Sequence, residues 1–229
     1  MGIYLILIWR QKWRIFEDGI RVETVLGADD VASIGPLSQD EKTTRRGVAG
    51  IFFVYKCAGA AADKMMSLDT VTRIARKASW NTRTLGVALT SCVVPRVGHA
   101  GFHIEEDEME IGMGIHGETG IRRGKIETAD QITEEMMNKI IEDLPYAPGD
   151  HVAVLVNGLG ATPLDEQYIV TRKINQLLMD KGIAVHRYYV GEYATSLEMA
   201  GVSISLLKLD EELTELIDYP ANTPFFKQL

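Results

Sequence analysis

The stretch "HVAVLVNGLGATPLDEQYIVTRKINQLLMDKGIAVHRYYVG", residues 151–191, decides the fold. "HVAVLVNGLG" reads as a strand running into a glycine turn. Pro163 opens the helix that follows, because a fixed φ and a missing N–H suit the first helical turn. That helix is expected to run to about Lys181, with Leu164, Tyr168, Ile169, Ile174, Leu177 and Leu178 as its apolar set. Gly182 ends it. "IAVHRYYVG" is then a second strand. Strand, helix and strand in succession are the alternation of an α/β fold.

The alternation continues on both sides. "ETADQITEEMMNKIIEDL" (Glu127–Leu144) predicts an amphipathic helix capped by Thr128, with Ile132, Met136, Met137, Ile140, Ile141 and Leu144 on one face. Ser67-Leu68-Asp69 opens another, whose stripe is Leu68, Val71, Ile74 and Ala75. "TLGVALTSCVV" (Thr84–Val94) reads as a buried strand closed by Pro95. "MEIGMGI" reads as strand, turn, strand. "ATSLEMAGVSISLLKLD" predicts a short helix and then a strand. "EELTELIDYP" is a final helix stopped by Pro220. These elements assign residues 68–229 to one α/β domain with a mixed sheet flanked by helices.

Residues 1–67 read as a partial first α/β domain. "GIYLILIW" is a buried strand, and "RVETVLG" (Arg21–Gly27) a second, alternating one. Gly35–Arg46 is polar and loop-like. Gly47–Met65 begins strand-like or as a buried apolar segment and turns into the helix formers "CAGAAADKM".

The chain has 229 residues, 46% of them hydrophobic, so it can bury a sizeable core. A net charge of -8 argues against a nucleic-acid partner. Cys57 and Cys92 sit in apolar segments and form no CxxC or Cys/His cluster, the pattern of reduced, buried thiols in a cytoplasmic protein. The apolar run "YLILIW" is far shorter than the roughly 20 residues of a membrane span. Its charges follow it instead of preceding it, which is not a secretion signal.

His116 lies in "EIGMGIHGETG" (Glu110–Gly120) at or just past a strand end. Gly112, Gly114 and Gly117 allow close backbone approach. Glu118 or Glu110 could orient the ring. Neutral imidazole is a nitrogen nucleophile. A hydrogen-bonded turn histidine fits the local sequence equally well, and no reaction follows from it alone. "VNGLGATP" (Val156–Pro163) is either an anion-attracting turn at a helix start or only a tight turn. Tyr193, Thr195 and Ser196 read as ligand contacts or as capping and packing. The acidic run "EEDEME" (Glu105–Glu110) reads as a solvated edge, with a cation-holding cluster as the alternative. His99, His103, His151 and His186 show no ligand spacing, so no metal site is expected.

Taken together, "RRGVAG", "VYKCAGAAA", "NTRTLGVALTSCVVPRVG", "EEDEMEIGMGIHGE", "VNGLGATPLDEQYI", "GEYATSLEMAGVSISLLKLD" and "ANTPFF" resemble the dihydroxyacetone kinase substrate-binding subunit (DhaK) family. The resemblance runs from about Gly19 to the C-terminus. It implies that His116 bonds covalently to the carbonyl carbon of dihydroxyacetone as a hemiaminal. It implies a phosphotransferase whose nucleotide, ADP or ATP with Mg, sits on a separate DhaL-type subunit fed by the sugar phosphotransferase system. No cofactor and no metal are expected on this chain, and a homodimer is. The chain stops where a stand-alone subunit would stop. The family's N-terminal part supplies a second histidine as base and a "KNYxGD" turn; neither has a match in these residues. Thr119 stands where the family has proline, and Ala161 where it has glycine. The resemblance therefore implies weak ketose binding and little transfer, with a non-catalytic ligand-sensing coactivator or a degenerate fragment as the alternative.

Overall fold

The computed structural model describes residues 19–33, 45–93, 98–100, 102–115 and 117–229. The expected strand "GIYLILIW", most of the expected 35–46 loop and His116 lie outside the described residues.

In chain order the longer elements are α1 (Ile51–Asp63), α2 (Leu68–Trp80), β1 (Thr82–Ala88), β2 (Glu108–Ile111), β3 (Arg122–Lys125), α3 (Ala129–Asp143), β4 (His151–Gly158), α4 (Leu164–Asp180), β5 (Ala184–Gly191), β6 (Gly201–Leu209) and α5 (Glu211–Asp218). Two short strands, Ala221–Asn222 and Lys227–Gln228, pair near the C-terminus. Six strands form one sheet in the order β3-β2-β1-β6-β4-β5. The β4–β5 pair is parallel, and the other ladders are antiparallel. The sheet is mixed and flanked by helices, as expected.

Strand β4 shows why its sequence is a continuous apolar run. Val152, Val154 and Val156 face one core with α3 and α4. Ala153 and Leu155 face a second core with α1, α2 and α5. A strand covered on both faces has no polar side to show. Truncating Leu155, which is fully buried, to alanine would cost about 2–5 kcal/mol.

The helix starts follow the sequence closely. Ser67 accepts from the Thr70 N–H, and Thr128 and Gln131 form a reciprocal capping box. Such a cap contributes about 1 kcal/mol. The turn between α1 and α2, where the expected domain division falls, holds Met65 at a φ of 58°.

Six expectations change. "MEIGMGI" is a strand only as far as Ile111: Gly112, at a φ of 83°, turns the chain away, and the strand that pairs with β2 begins at Arg122. Ile51–Val54 is helical from its first residue, not strand-like. Its start is fixed at a distance: Asp29 Oδ1 and Oδ2 accept from the Val48 and Gly50 N–H groups at 3.0 and 2.9 Å. Among the described residues "RVETVLG" forms no strand: the β1 edge at Thr84 is taken instead by Asp29 and Val31, whose carbonyl and N–H bond to the Thr84 backbone at 2.7 and 3.0 Å. β1 ends at Ala88, where Leu89 N–H turns to the Ala200 carbonyl. The short helix in "ATSLEMAG" is absent, since Tyr193, Ala194 and Ser196 N–H groups bond to Asn157 and Leu159 instead. On α4, Val170, Ile174 and Leu178 face the core, while Leu164, Tyr168 and Ile169 are exposed.

Candidate active site

The chain between β2 and β3 folds into a closed loop. Ile121 N–H bonds back to the Ile111 carbonyl at 2.8 Å and shuts its base. Within it, Gly114 N–H donates to the Glu118 carbonyl at 2.9 Å, and Gly117 N–H to the Gly114 carbonyl at 3.0 Å. Gly112 has a φ of 83°, and a Cβ there would strike Ala32. At Gly114 a Cβ would strike the Glu118 carboxylate, so the missing side chain makes room for that carboxylate over the loop. His116, at the centre of this sequence, lies outside the described residues.

Both ends of the loop are held from outside. At the entrance, Arg46 Nη2 donates to the Gly112 carbonyl at 3.1 Å, and Arg46 Nε to Asp30 Oδ2 at 2.7 Å. Asp30 also accepts from Ala32 N–H at 2.9 Å. Burial raises the Asp30 carboxyl above the ordinary range, against the hydrogen bonds and the Arg46 charge that lower it. At the exit, Glu110 is 3% exposed. Its Oε1 accepts from Gly120 N–H at 2.6 Å, and its Oε2 from Arg123 Nε at 2.9 Å and from Arg123 Nη2. Of the two carboxylates named as partners for the ring, Glu110 is thus engaged with the loop's exit, and Glu118 lies inside the loop.

Beneath the loop is a small apolar cluster of Ala88, Cys92, Ile104, Met113, Leu159 and Met199, with Phe102 and Ile115 packed against it. Ser196 Oγ reaches Cys92 Sγ at 3.8 Å. The cluster brings the ends of β1, β4 and the "GEYATSLEMAG" segment to the loop's underside.

The second glycine turn, "VNGLGATP", spends its polar atoms internally. Asn157 is fully buried. Its Oδ1 accepts from Tyr193 and Ala194 N–H, both at 2.8 Å. Its Nδ2 donates to the Ala194 carbonyl and to Ser203 Oγ at 2.9 and 3.1 Å. Gly160 sits at a φ of 122° with the Leu197 carbonyl against its vacant side-chain position. This is the tight-turn reading of the motif. Tyr193 joins an aromatic cluster with Phe52, Tyr189 and Phe226.

The other candidates separate. Of the run "EEDEME", Glu105, Glu106 and Asp107 are exposed, with Asp107 paired to Lys125, but Met109 and Glu110 are buried in β2, so only its first half is the expected solvated edge. His186 bonds Asp218, and His103 bonds Glu105. Among the described residues no three His, Cys, Asp or Glu side chains are grouped to hold a metal. Burial pushes the Cys57 thiol up to about 12, so it is an inert core group. No helix among the described residues is long and apolar enough to cross a membrane. An apolar cavity of about 280 Å³ lies between the starts of α3 and α4, lined by Val87, Ile132, Ile169 and Val202 among others, with none of the loop residues in its wall.

Sequence reasoning found the loop but not what holds it. Asp30 and Arg123 lie in no segment singled out from the sequence, and "RRGVAG" does not show that its Arg46 reaches the loop; Arg46 and Asp30 meet it only through tertiary contact.

Residues 12–225 match the Dak1 domain family. The chain is 48% identical over 211 residues to a PTS-dependent dihydroxyacetone kinase 2, dihydroxyacetone-binding subunit DhaK, of Listeria innocua, covering 92% of this chain and 62% of that one. It is 40% identical to a D-erythrulose kinase of Mycolicibacterium smegmatis, covering 92% of this chain and 36% of that one. Among solved structures, a dihydroxyacetone kinase operon co-activator, Dha-DhaQ, superposes with a TM-score of 0.81 at 31% identity, covering 92% of this chain and 65% of that chain. The chain thus spans less than two thirds of the length of each of these relatives.

Proposed function

The chain belongs to the Dak1 family, and from that premise we propose that it is the ketose-binding part of a dihydroxyacetone kinase, with His116 as covalent handle. The observation that carries this reading is the loop built around that position: glycine-rich, closed at its base by Ile121 and Ile111, and held at Gly112 and Gly120 by buried carboxylates and arginines. The relatives' names supply the ligand class, dihydroxyacetone or erythrulose.

The chemistry needs a neutral imidazole. Its nitrogen lone pair adds to the ketone carbon, a C–N bond forms, and the C=O π bond opens. The oxygen takes up a proton, and the other ring nitrogen gives one up. Glu118, whose carboxylate lies over Gly114, is the loop carboxylate suited to orient the ring and to ease that proton's departure. An alcohol such as glycerol has no electrophilic carbon and is refused at this step. The tether then presents a hydroxyl for phosphoryl transfer, which is chiefly a matter of placement. The phosphoryl donor belongs to a separate nucleotide-bearing subunit, and the ketose-binding chain works in the cytoplasm as a homodimer.

The 229 residues hold no counterpart of the base histidine or of the "KNYxGD" turn that the resemblance implies. Binding is therefore weak and transfer slow for this chain alone. Titration with carbonyl-labelled dihydroxyacetone, followed by carbon NMR, tests the handle. The expected result is a tetrahedral adduct signal that His116→Ala abolishes. A signal that survives that substitution overturns the reading.

The superposition on a co-activator favours a second reading, ligand sensing without transfer. Reconstitution with a nucleotide-bearing kinase subunit separates the two. Ketose phosphorylation above the background of that subunit alone supports the enzyme, and its absence with intact adduct formation supports the sensor.

A further inference from the structure

We propose that Glu110 is a positioning residue: its buried carboxylate, locked by Arg123, sets the exit of the Gly112–Gly120 loop and thereby the reactivity of the loop's centre. The inference rests on the ketose-binding reading of that loop and adds to it a residue that never touches the ligand.

The case begins with burial. Glu110 is 3% exposed, and a carboxylate removed from water to that degree needs its lone pairs satisfied. Both oxygens are engaged, and on different tasks. Oε1 accepts from the backbone N–H of Gly120, ten residues along the chain, at 2.6 Å. Oε2 accepts from two nitrogens of Arg123. The Arg123 side chain is 45% exposed, so it can neutralise the carboxylate while its own head stays wet.

The strand register makes the pairing structural as well as electrostatic. Glu110 and Arg123 face each other across the β2–β3 ladder. Gly120 is the last residue before Ile121 N–H closes the loop on the Ile111 carbonyl. One charged group on β2 therefore holds both the strand that leaves the loop and the loop's final turn. Gly120 has no side chain because a Cβ would strike the Ile111 carbonyl, so the exit runs flat against β2 where Glu110 can reach it. Partners that support a reacting group from behind typically change affinity or activity about 10- to 100-fold when removed.

The test uses Glu110→Ala, Glu110→Gln and a core control, Leu178→Ala on α4. Adduct formation is titrated with carbonyl-labelled dihydroxyacetone, and amide hydrogen exchange is followed at Gly114 and Gly117. Glu110→Ala should raise the Kd about 10-fold or more and speed exchange at both glycines by about the same factor. Glu110→Gln keeps an acceptor for Gly120 and should recover the Kd to within about 3-fold of the unmodified chain. Leu178→Ala should lower the melting temperature and leave both readouts within about 2-fold. Unchanged exchange at Gly114 and Gly117 in Glu110→Ala overturns the clamp, even if the chain binds no ketose. Equal weakening by Leu178→Ala also overturns it. An adduct that survives His116→Ala sinks the ketose reading and leaves the exchange result to decide the clamp. Should Glu110→Ala fail to fold, Arg123→Ala removes the clamp from its exposed side; exchange at Gly114 and Gly117 as slow as in the unmodified chain then overturns the proposal.

Discussion

Two glycine-rich turns leave the same sheet, and they are built in opposite ways. "VNGLGATP" follows β4 and is held from within. Asn157 uses its amide in four hydrogen bonds, three to the backbone of Tyr193 and Ala194 and one to Ser203, and Gly160 admits the Leu197 carbonyl. "GMGIHGETG" follows β2 and is held from its ends, by Arg46 on Gly112 and by Glu110 on Gly120. The first turn consumes its polar groups to join elements. The second has charged side chains at both margins and two backbone hydrogen bonds within it, and the proposed reading places the chemistry at its centre. Glycine content alone does not distinguish a joint from a site; where the neighbouring polar atoms are spent does.

The largest expected effect is on the joint. Asn157→Leu keeps the volume but strands the Tyr193 and Ala194 N–H groups, the Ala194 carbonyl and the Ser203 hydroxyl. Buried groups left without partners cost about 1–3 kcal/mol each, and a loss of about 3–5 kcal/mol is expected in denaturant unfolding. A loss under about 1 kcal/mol would mean that the turn is not held from within. Gly160→Ala should follow at about 2–4 kcal/mol, because the Leu197 carbonyl is backbone and the φ of 122° suits no side chain.

The loop should respond differently. Gly114→Ala meets the Glu118 side chain, most closely its flexible carboxylate end, so stability should fall by about 1 kcal/mol. Adduct formation with dihydroxyacetone should nevertheless weaken about 10-fold, since Glu118 is displaced from over the loop. A Gly114→Ala chain that binds as before but unfolds readily would reverse the comparison, making this loop the joint.

How much of this the sequence disclosed follows from what each signal depends on. Continuous or periodic apolar patterns are local, so the strand 151–158 and the helices opened by Ser67 and Thr128 were legible. The helical start at Ile51 was not, because the turn leading into it is held by Asp29, from another part of the chain, on the Val48 and Gly50 N–H groups. The outer face of α4 misled for a related reason: Leu164, Tyr168 and Ile169 are apolar at helical spacing, but Val170, Ile174 and Leu178 form the stripe the sheet covers. At the loop, the glycines and the flanking carboxylates could be read directly. Which carboxylate turns inward could not, because it depends on Arg123 standing opposite Glu110 in the ladder.

The smallest effect expected lies far from both turns and tests the electrostatics of the other face. Glu212, in the first turn of α5, bonds Arg73 and Lys77 of α2, and these partners hold its carboxyl down to about 2. A carboxyl depressed in the folded state stabilises that state fully above its unfolded pKa and loses the contribution as pH falls toward the folded one. The window therefore runs from roughly pH 5 down to about 2. Asp29 and Asp30, raised chiefly by burial, act in the opposite sense and lose stability as pH rises through their own range. Comparing Glu212→Gln with the unmodified chain cancels them, since both chains keep those two residues. The melting-temperature gap should be widest at neutral pH and close as the solution is acidified through that window. Added salt should narrow the gap at neutral pH, because all three side chains reach solvent. A gap independent of pH would assign the pairing to packing of α5 on α2, with no contribution from charge.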